Sequence, residues 1–132
     1  MRMWMTAPSL LCRSHLLGEH VEIHMFVGTI RKGISIQGYL DKGFLEPTQI
    51  RQRHDALVHE MKRRHMNHQS PLPDFPTPST RTHVVDVQSN YIELENRCPS
   101  CKELIRGNKP LEVPVPTILE EDGDFLAMEL IL

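Results

Sequence analysis

Residues 11–32 read LCRSHLLGEHVEIHMFVGTIRK, and the spacing of side chains along this stretch decides the fold class. His15, Glu19, Glu22 and Phe26 follow one another at i, i+4, i+7 and i+11, which places them on one stripe of a helix. Leu16, Ile23, Val27 and Ile30 make a second, apolar stripe beside it. A helix that turns the apolar stripe to a core holds the carboxylate and imidazole of its neighbouring stripe rigidly at a cleft. Pro8 at the entry and Gly33 at the exit predict a helix from Ser9 to Lys32. Gly18 and Gly28 lie inside it and each costs ~1 kcal/mol relative to alanine, so a close helix contact or a close ligand approach is expected to compensate.

Working outward, a short connector from Gly33 to Glu46 leads to a second predicted helix from Pro47 to His65. Its buried face is Ile50, Leu57, Val58 and Met61, with Arg51, Arg53, Lys62, Arg63 and Arg64 outside. Residues 69–82, QSPLPDFPTPSTRT, contain four prolines, which exclude helix and central strand and leave a surface strap. Val87, Tyr91 and Leu94 recur at i, i+4 and i+7 and predict a third helix over Val84 to Arg97. Pro110, Pro114 and Pro116 exclude helix after Lys109, and the last residues read as an edge strand or a short helix. The expected fold is mainly α: a compact single domain of about three helices with irregular Pro-rich connections. Residues 1–106 form the helical domain, and 107–132 form an acidic tail packed on it or extending from it.

The 132 residues are 39% hydrophobic and only 5% aromatic, so the core rests on Leu, Ile, Val and seven Met. A chain of this size buries enough surface to fold alone. Neither a signal peptide nor an apolar run of ~18 residues is visible, and the expectation is a soluble cytoplasmic protein with no membrane partner. The net charge of −2 hides an asymmetry, because residues 1–68 carry ten Lys/Arg against six Asp/Glu and residues 69–132 carry five against eleven. A basic half beside an acidic one fits a phosphate-binding face.

Two constellations carry chemistry. The first is Glu22 with a free amine: an α-amino group titrates near ~7.7 to 8.0, so part of it is neutral and nucleophilic at physiological pH. Such an amine attacks C1′ of a deoxyribose, expels the base, forms a Schiff base and allows strand cleavage by β-elimination, with a carboxylate assisting proton transfer. Composition alone does not place Met1 beside Glu22. The second is Cys12-x2-His15 with Cys98-x2-Cys101. Three cysteines are an odd number, which argues against a disulfide framework. The two pairs read either as the halves of a structural zinc site or as reduced thiols, with Cys12 a small buried hydrophobe and Cys98 to Cys101 on a Pro-containing turn. His15 serves as a metal ligand or as a DNA contact, and the two roles compete. His20, His24, His54, His59, His65, His68 and His83 lack a metal spacing and read as surface or satisfied core residues. Lys62, Arg63, Arg64 and His65 fit either a phosphate backbone or a solvated helix end, and Trp4 fits core packing better than a base-step wedge.

From its first residue the chain resembles, without a gap, the first helix of the phage endonuclease V family, the pyrimidine-dimer DNA glycosylases that are also abasic-site lyases. The shared residues are Leu11, His15, Leu16, Glu19, Glu22, Gly28, Arg31 and Lys32, in the family pattern H-L-x-x-E-x-x-E-x-x-x-x-x-G-x-x-R-K. Residues 53–67 are similar to the family's second helix, and 83–97 more weakly to its third. The resemblance implies Glu22 as the catalytic carboxylate and the amine of Met1 as nucleophile, with Met1 retained because Arg2 is bulky. It implies Arg2, His15, Arg31 and Lys32 as DNA-binding residues, no metal or organic cofactor, and a monomer acting at the nucleoid. The partner is double-stranded DNA with a damaged base or an abasic site, where flipping costs only a few kcal/mol. Val21 and Met25 stand where family arginines hold the kinked duplex and flipped base, and the connector after the first helix is shorter, as in a shorter bacterial-type branch. The alternative is a non-catalytic nucleic-acid-binding module, zinc-stapled, that keeps this fold.

Overall fold

The structure, a computed structural model, describes residues 1–68, 70–77 and 83–108. Among these described residues five helices follow one another: α1 Arg13–Arg31, α2 Gln37–Asp41, α3 Ile50–Arg63, α4 Val87–Arg97 and α5 Pro99–Asn108, with single 3-10 turns at Pro8–Leu10 and Pro47–Gln49. No strand occurs among the described residues, so the mainly α fold is borne out, with five helices where about three were expected. The Pro-rich stretch from 110 and the tail to 132 lie outside the described residues.

The boundaries differ from the sequence reading for local reasons. α1 begins at Arg13 rather than Ser9 because Leu11 and Cys12 are extended, at φ −89°, ψ 137° and φ −69°, ψ 166°. The connector before α3 is not featureless: α2 fills it, between Gly33 and Gly43, both at φ +71°, where glycine alone is unstrained. α4 starts at Val87, capped by the Asp86 carboxylate, which accepts the Ser89 N–H at 3.0 Å. α5 was missed altogether. Pro99 does not make a turn there. It occupies the first helical position after an extended Cys98, a place where its missing N–H and fixed φ are compatible with helix.

One core joins all of this. α1 packs on α3, α4 on α5, and α5 on the Pro8–Leu10 turn. Leu16, Ile23, Phe26 and Val27 of α1 meet Ile50, Leu57 and Met61 of α3, together with Leu94, Cys101 and Ile105 from the last two helices. Met3 and Trp4 of the N-terminal segment are buried in the same cluster. The two apolar positions read as buried that are only partly so are Ile30 and Val58.

Arg53 corrects the sequence reading. Expected outside α3, it is buried, and its guanidinium grips both oxygens of Glu19 at 2.6 and 2.8 Å while donating to the Thr6 carbonyl at 2.6 Å. Two buried charges survive only with such bidentate pairing. The pair ties α3, α1 and the N-terminal segment together. The close helix contact expected at Gly18 and Gly28 is absent, since a Cβ at either would meet nothing within 4 Å.

Candidate active site

The N-terminal segment, residues 1–7, has no repetitive structure of its own, and its backbone groups are satisfied by other elements. Met3 N–H donates to the Phe44 carbonyl at 2.7 Å. The Asn90 amide of α4 donates to the Trp4 carbonyl at 2.8 Å and to that of Met3 at 3.4 Å, and the Tyr91 hydroxyl accepts the Ala7 N–H at 2.9 Å. The chain start is thereby laid across α1. Arg2 N–H donates to Glu22 Oε1 at 2.8 Å, so a mid-helix carboxylate of α1 receives the backbone of the residue next to the terminus.

Met1, Arg2, Trp4, Ser14, His15, Gly18, Glu19, Glu22, Phe44 and Arg97 line one cleft of about 280 Å³. Its cations come from opposite ends of the chain. The Arg2 guanidinium lies 4.5 Å from the Trp4 ring centre and 4.0 Å from that of Phe44 and donates to Asn90 Oδ1 at 3.2 Å. Burial and then the nearby Arg97 charge lower its pKa from the usual arginine value. Arg97, 5.4 Å from the Trp4 ring centre, is paired with Glu93 at 2.6 Å but remains half exposed. Trp4 is therefore a core residue whose face holds two guanidinium groups.

Of the residues singled out from the sequence, Met1, Arg2, His15 and Glu22 meet at this cleft. Arg31 and Lys32 do not. They are exposed at the far end of α1, about 13 Å along the helix axis from Glu22 at ~1.5 Å per residue. Glu19 lines the cleft yet is fully engaged by Arg53. Arg64, read as a phosphate contact or a solvated residue, is neither: it bonds Glu60 at 2.6 Å and the Leu11 carbonyl at 2.6 Å. Arg97 and Ser14 were not singled out. Arg97 had no sequence signal, because what qualifies it is the packing of α4 against the N-terminal segment.

His15 has a second set of neighbours. Its Nδ1 lies 3.3 Å from Cys12 Sγ and 3.5 Å from Cys101 Sγ, and Cys12 Sγ lies 3.8 Å from Cys98 Sγ. All three thiols are free. Burial pushes the Cys101 thiol up to about 12, whereas at Cys98 hydrogen bonds with the Cys101 backbone, then the Cys101 and Cys12 thiols and the Ser100 backbone, together outweigh burial and hold the thiol below its ordinary value. A second group was not foreseen: His20, His54 and His68 bring ring nitrogens within 4.8 Å of one another, and His24 packs 4.8 Å from the His20 ring centre. Burial, then His24, His54 and His68, lower His20 to about 4. These four are not satisfied core histidines, because Nε2 of each is buried with no hydrogen-bond partner.

A family model described as pyrimidine dimer DNA glycosylase matches residues 1–74, more than half of the chain. The chain belongs to this family. The match spans Met1, Arg2, His15, Glu22, Arg31 and Lys32 and stops short of α4 and α5, so Arg97, which lines the cleft, and Asn90 and Tyr91, which hold the N-terminal segment, lie outside it. No curated protein and no solved structure matches the chain. Membership implies the activity of a DNA repair glycosylase. No described helix is long and apolar enough to cross a membrane.

Proposed function

We propose that the chain removes damaged pyrimidines from double-stranded DNA and then cleaves the abasic strand, using the α-amine of Met1 as nucleophile and Glu22 as the acid/base. The observation that supports this most is the 2.8 Å bond from Arg2 N–H to Glu22 Oε1. It holds the terminal nitrogen within about one residue's length, ~3 to 4 Å of backbone, of a group already on the carboxylate.

In the first step the neutral amine nitrogen forms a bond to C1′ as the C1′–N bond of the damaged base breaks, and the base departs with the bonding pair and a proton. The ring C1′–O4′ bond then breaks, O4′ keeping the bonding pair and taking a proton from Glu22 to become a hydroxyl, which leaves an iminium at C1′ whose positive charge the Glu22 carboxylate faces. Glu22 next relays a C2′ proton, and the C3′–O bond breaks by β-elimination. Hydrolysis of the iminium frees the amine. Arg2 and Arg97 supply phosphate contacts at the cleft, His15 borders it, and Arg31 and Lys32 meet phosphates further along the duplex. Val21 and Met25, 55% and 51% exposed, offer apolar contact where family arginines stand. A monomer suffices, since one chain supplies both the amine and the carboxylate.

The test is incision of a duplex with one cyclobutane dimer beside a duplex with one abasic site. The reading predicts that both are cut and an undamaged duplex is not. Cutting of the abasic duplex alone would remove the dimer specificity. Binding of both without incision would leave only a DNA-binding module.

A further inference from the structure

We infer that Cys12, His15, Cys98 and Cys101 form a structural zinc centre that clips α5 to the start of α1. This stands independently of the glycosylase reading. A tetrahedral zinc ion with ligand distances of ~2.3 Å to sulfur and ~2.0 to 2.1 Å to nitrogen separates two of its sulfurs by about 3.8 Å and a sulfur from a nitrogen by about 3.6 Å. The protein has 3.8 Å between Cys12 and Cys98 Sγ, and 3.3 and 3.5 Å from His15 Nδ1 to Cys12 and Cys101 Sγ. All four donor atoms lie within 4.8 Å of one another. The backbone prepares the same sulfurs for negative charge: Cys12 N–H points at Cys101 Sγ from 3.3 Å and Cys101 N–H at Cys98 Sγ from 3.4 Å. Cys12 and Cys98 each sit immediately before a helix, α1 and α5, where the helix dipole favours a thiolate. With four protein ligands no position is open for catalysis, so the ion is a staple. His15 then faces the metal through Nδ1 and bounds the cleft without contacting DNA through that nitrogen.

An independent observation, the unpaired imidazoles, carries a second centre. Nε2 of His20, His24, His54 and His68 are all buried without a partner, and each orphaned nitrogen has lost its water with nothing in exchange. The ring nitrogens of His20, His54 and His68 lie within 4.8 Å of one another, so one divalent cation satisfies these three. The outer ring nitrogen of His54 is anchored as a metal-bound histidine requires, 3.1 Å from Asp55 Oδ1, and His24, which hydrogen-bonds the Ser70 backbone, packs against His20 beside the three. We infer a three-imidazole site of His20, His54 and His68 for a nitrogen-preferring divalent ion, zinc foremost, joining α1, α3 and the segment after it.

Both are tested on the full chain produced with ZnCl2 and purified without chelator, by metal analysis and by exchange of zinc for cobalt with CoCl2. About two equivalents of zinc, with thiolate-to-cobalt charge-transfer absorption after exchange, are expected. His68→Ala should lose one equivalent and keep that absorption, and Cys98→Ser should lose the absorption. If Cys98→Ser does not fold, alkylation of the wild type serves instead, with three thiols protected until the zinc is chelated. One equivalent with the charge-transfer band overturns the histidine centre, one without it overturns the thiolate centre, and no bound metal overturns both.

Discussion

At the residue scale the chemistry rests on two glutamates one helical turn apart in α1 with opposite surroundings. Glu22 reaches the cleft and accepts a backbone N–H, whereas Glu19 is locked to Arg53 with both side chains almost fully buried. Glu22→Gln retains an oxygen to accept the Arg2 N–H and loses the proton-transfer capacity and the negative charge. It is expected to lower the incision rate on an abasic duplex by ~10²- to 10⁴-fold, with DNA affinity within a few-fold of wild type by fluorescence anisotropy. Glu19→Gln instead leaves the Arg53 guanidinium buried without its counter-charge. A loss of ~3 to 5 kcal/mol in unfolding free energy is expected, measured by urea titration. If the two variants showed the reverse pattern, the division of labour between these carboxylates would be wrong.

At the element scale α1 was the most legible part of the chain, because its two stripes together run from His15 to Ile30 within a helix of nineteen residues. Gly28 interrupts it without need: a Cβ there meets nothing, so Gly28→Ala is expected to raise stability by ~0.5 to 1 kcal/mol in the same titration. α4 does work that no periodicity announces. Its Asn90 holds the Met3 and Trp4 carbonyls and the Arg2 side chain, so Asn90→Ala should slow the lyase step more than it weakens DNA binding, as measured by single-turnover incision. α5 was illegible because Pro99 reads as a stop when seen in sequence and as a first helical residue when Cys98 is extended. The Cys pairs and Glu22 were visible as separate signals. What the sequence did not carry was which signals meet, since that depends on packing between α1, α4 and α5. The histidine cluster shows this most plainly: its members come from α1, from α3 and from beyond α3, and only the fold brings their rings within about 5 Å.

At the scale of the whole molecule, the cleft is assembled from the first four residues, the middle of α1, Phe44 and the end of α4, so no fragment limited to the matched residues 1–74 contains it complete. The proposed phosphate contacts, Arg2, Arg31, Lys32 and Arg97, are few. The logarithm of DNA affinity should therefore fall against the logarithm of salt with a slope of roughly −3 to −4, and Arg97→Ala should reduce that slope by about one. All of this serves one proposed arrangement, the Met1 amine working beside Glu22 in the cleft that both line, with the Arg2 backbone already on the carboxylate. Its most direct test is borohydride reduction during reaction with an abasic-site duplex, followed by peptide mapping of the protein–DNA adduct. The account predicts a single adduct on the α-amine of Met1, abolished by an N-terminal extension. An adduct on a lysine side chain, or undiminished trapping by the extended protein, would contradict it.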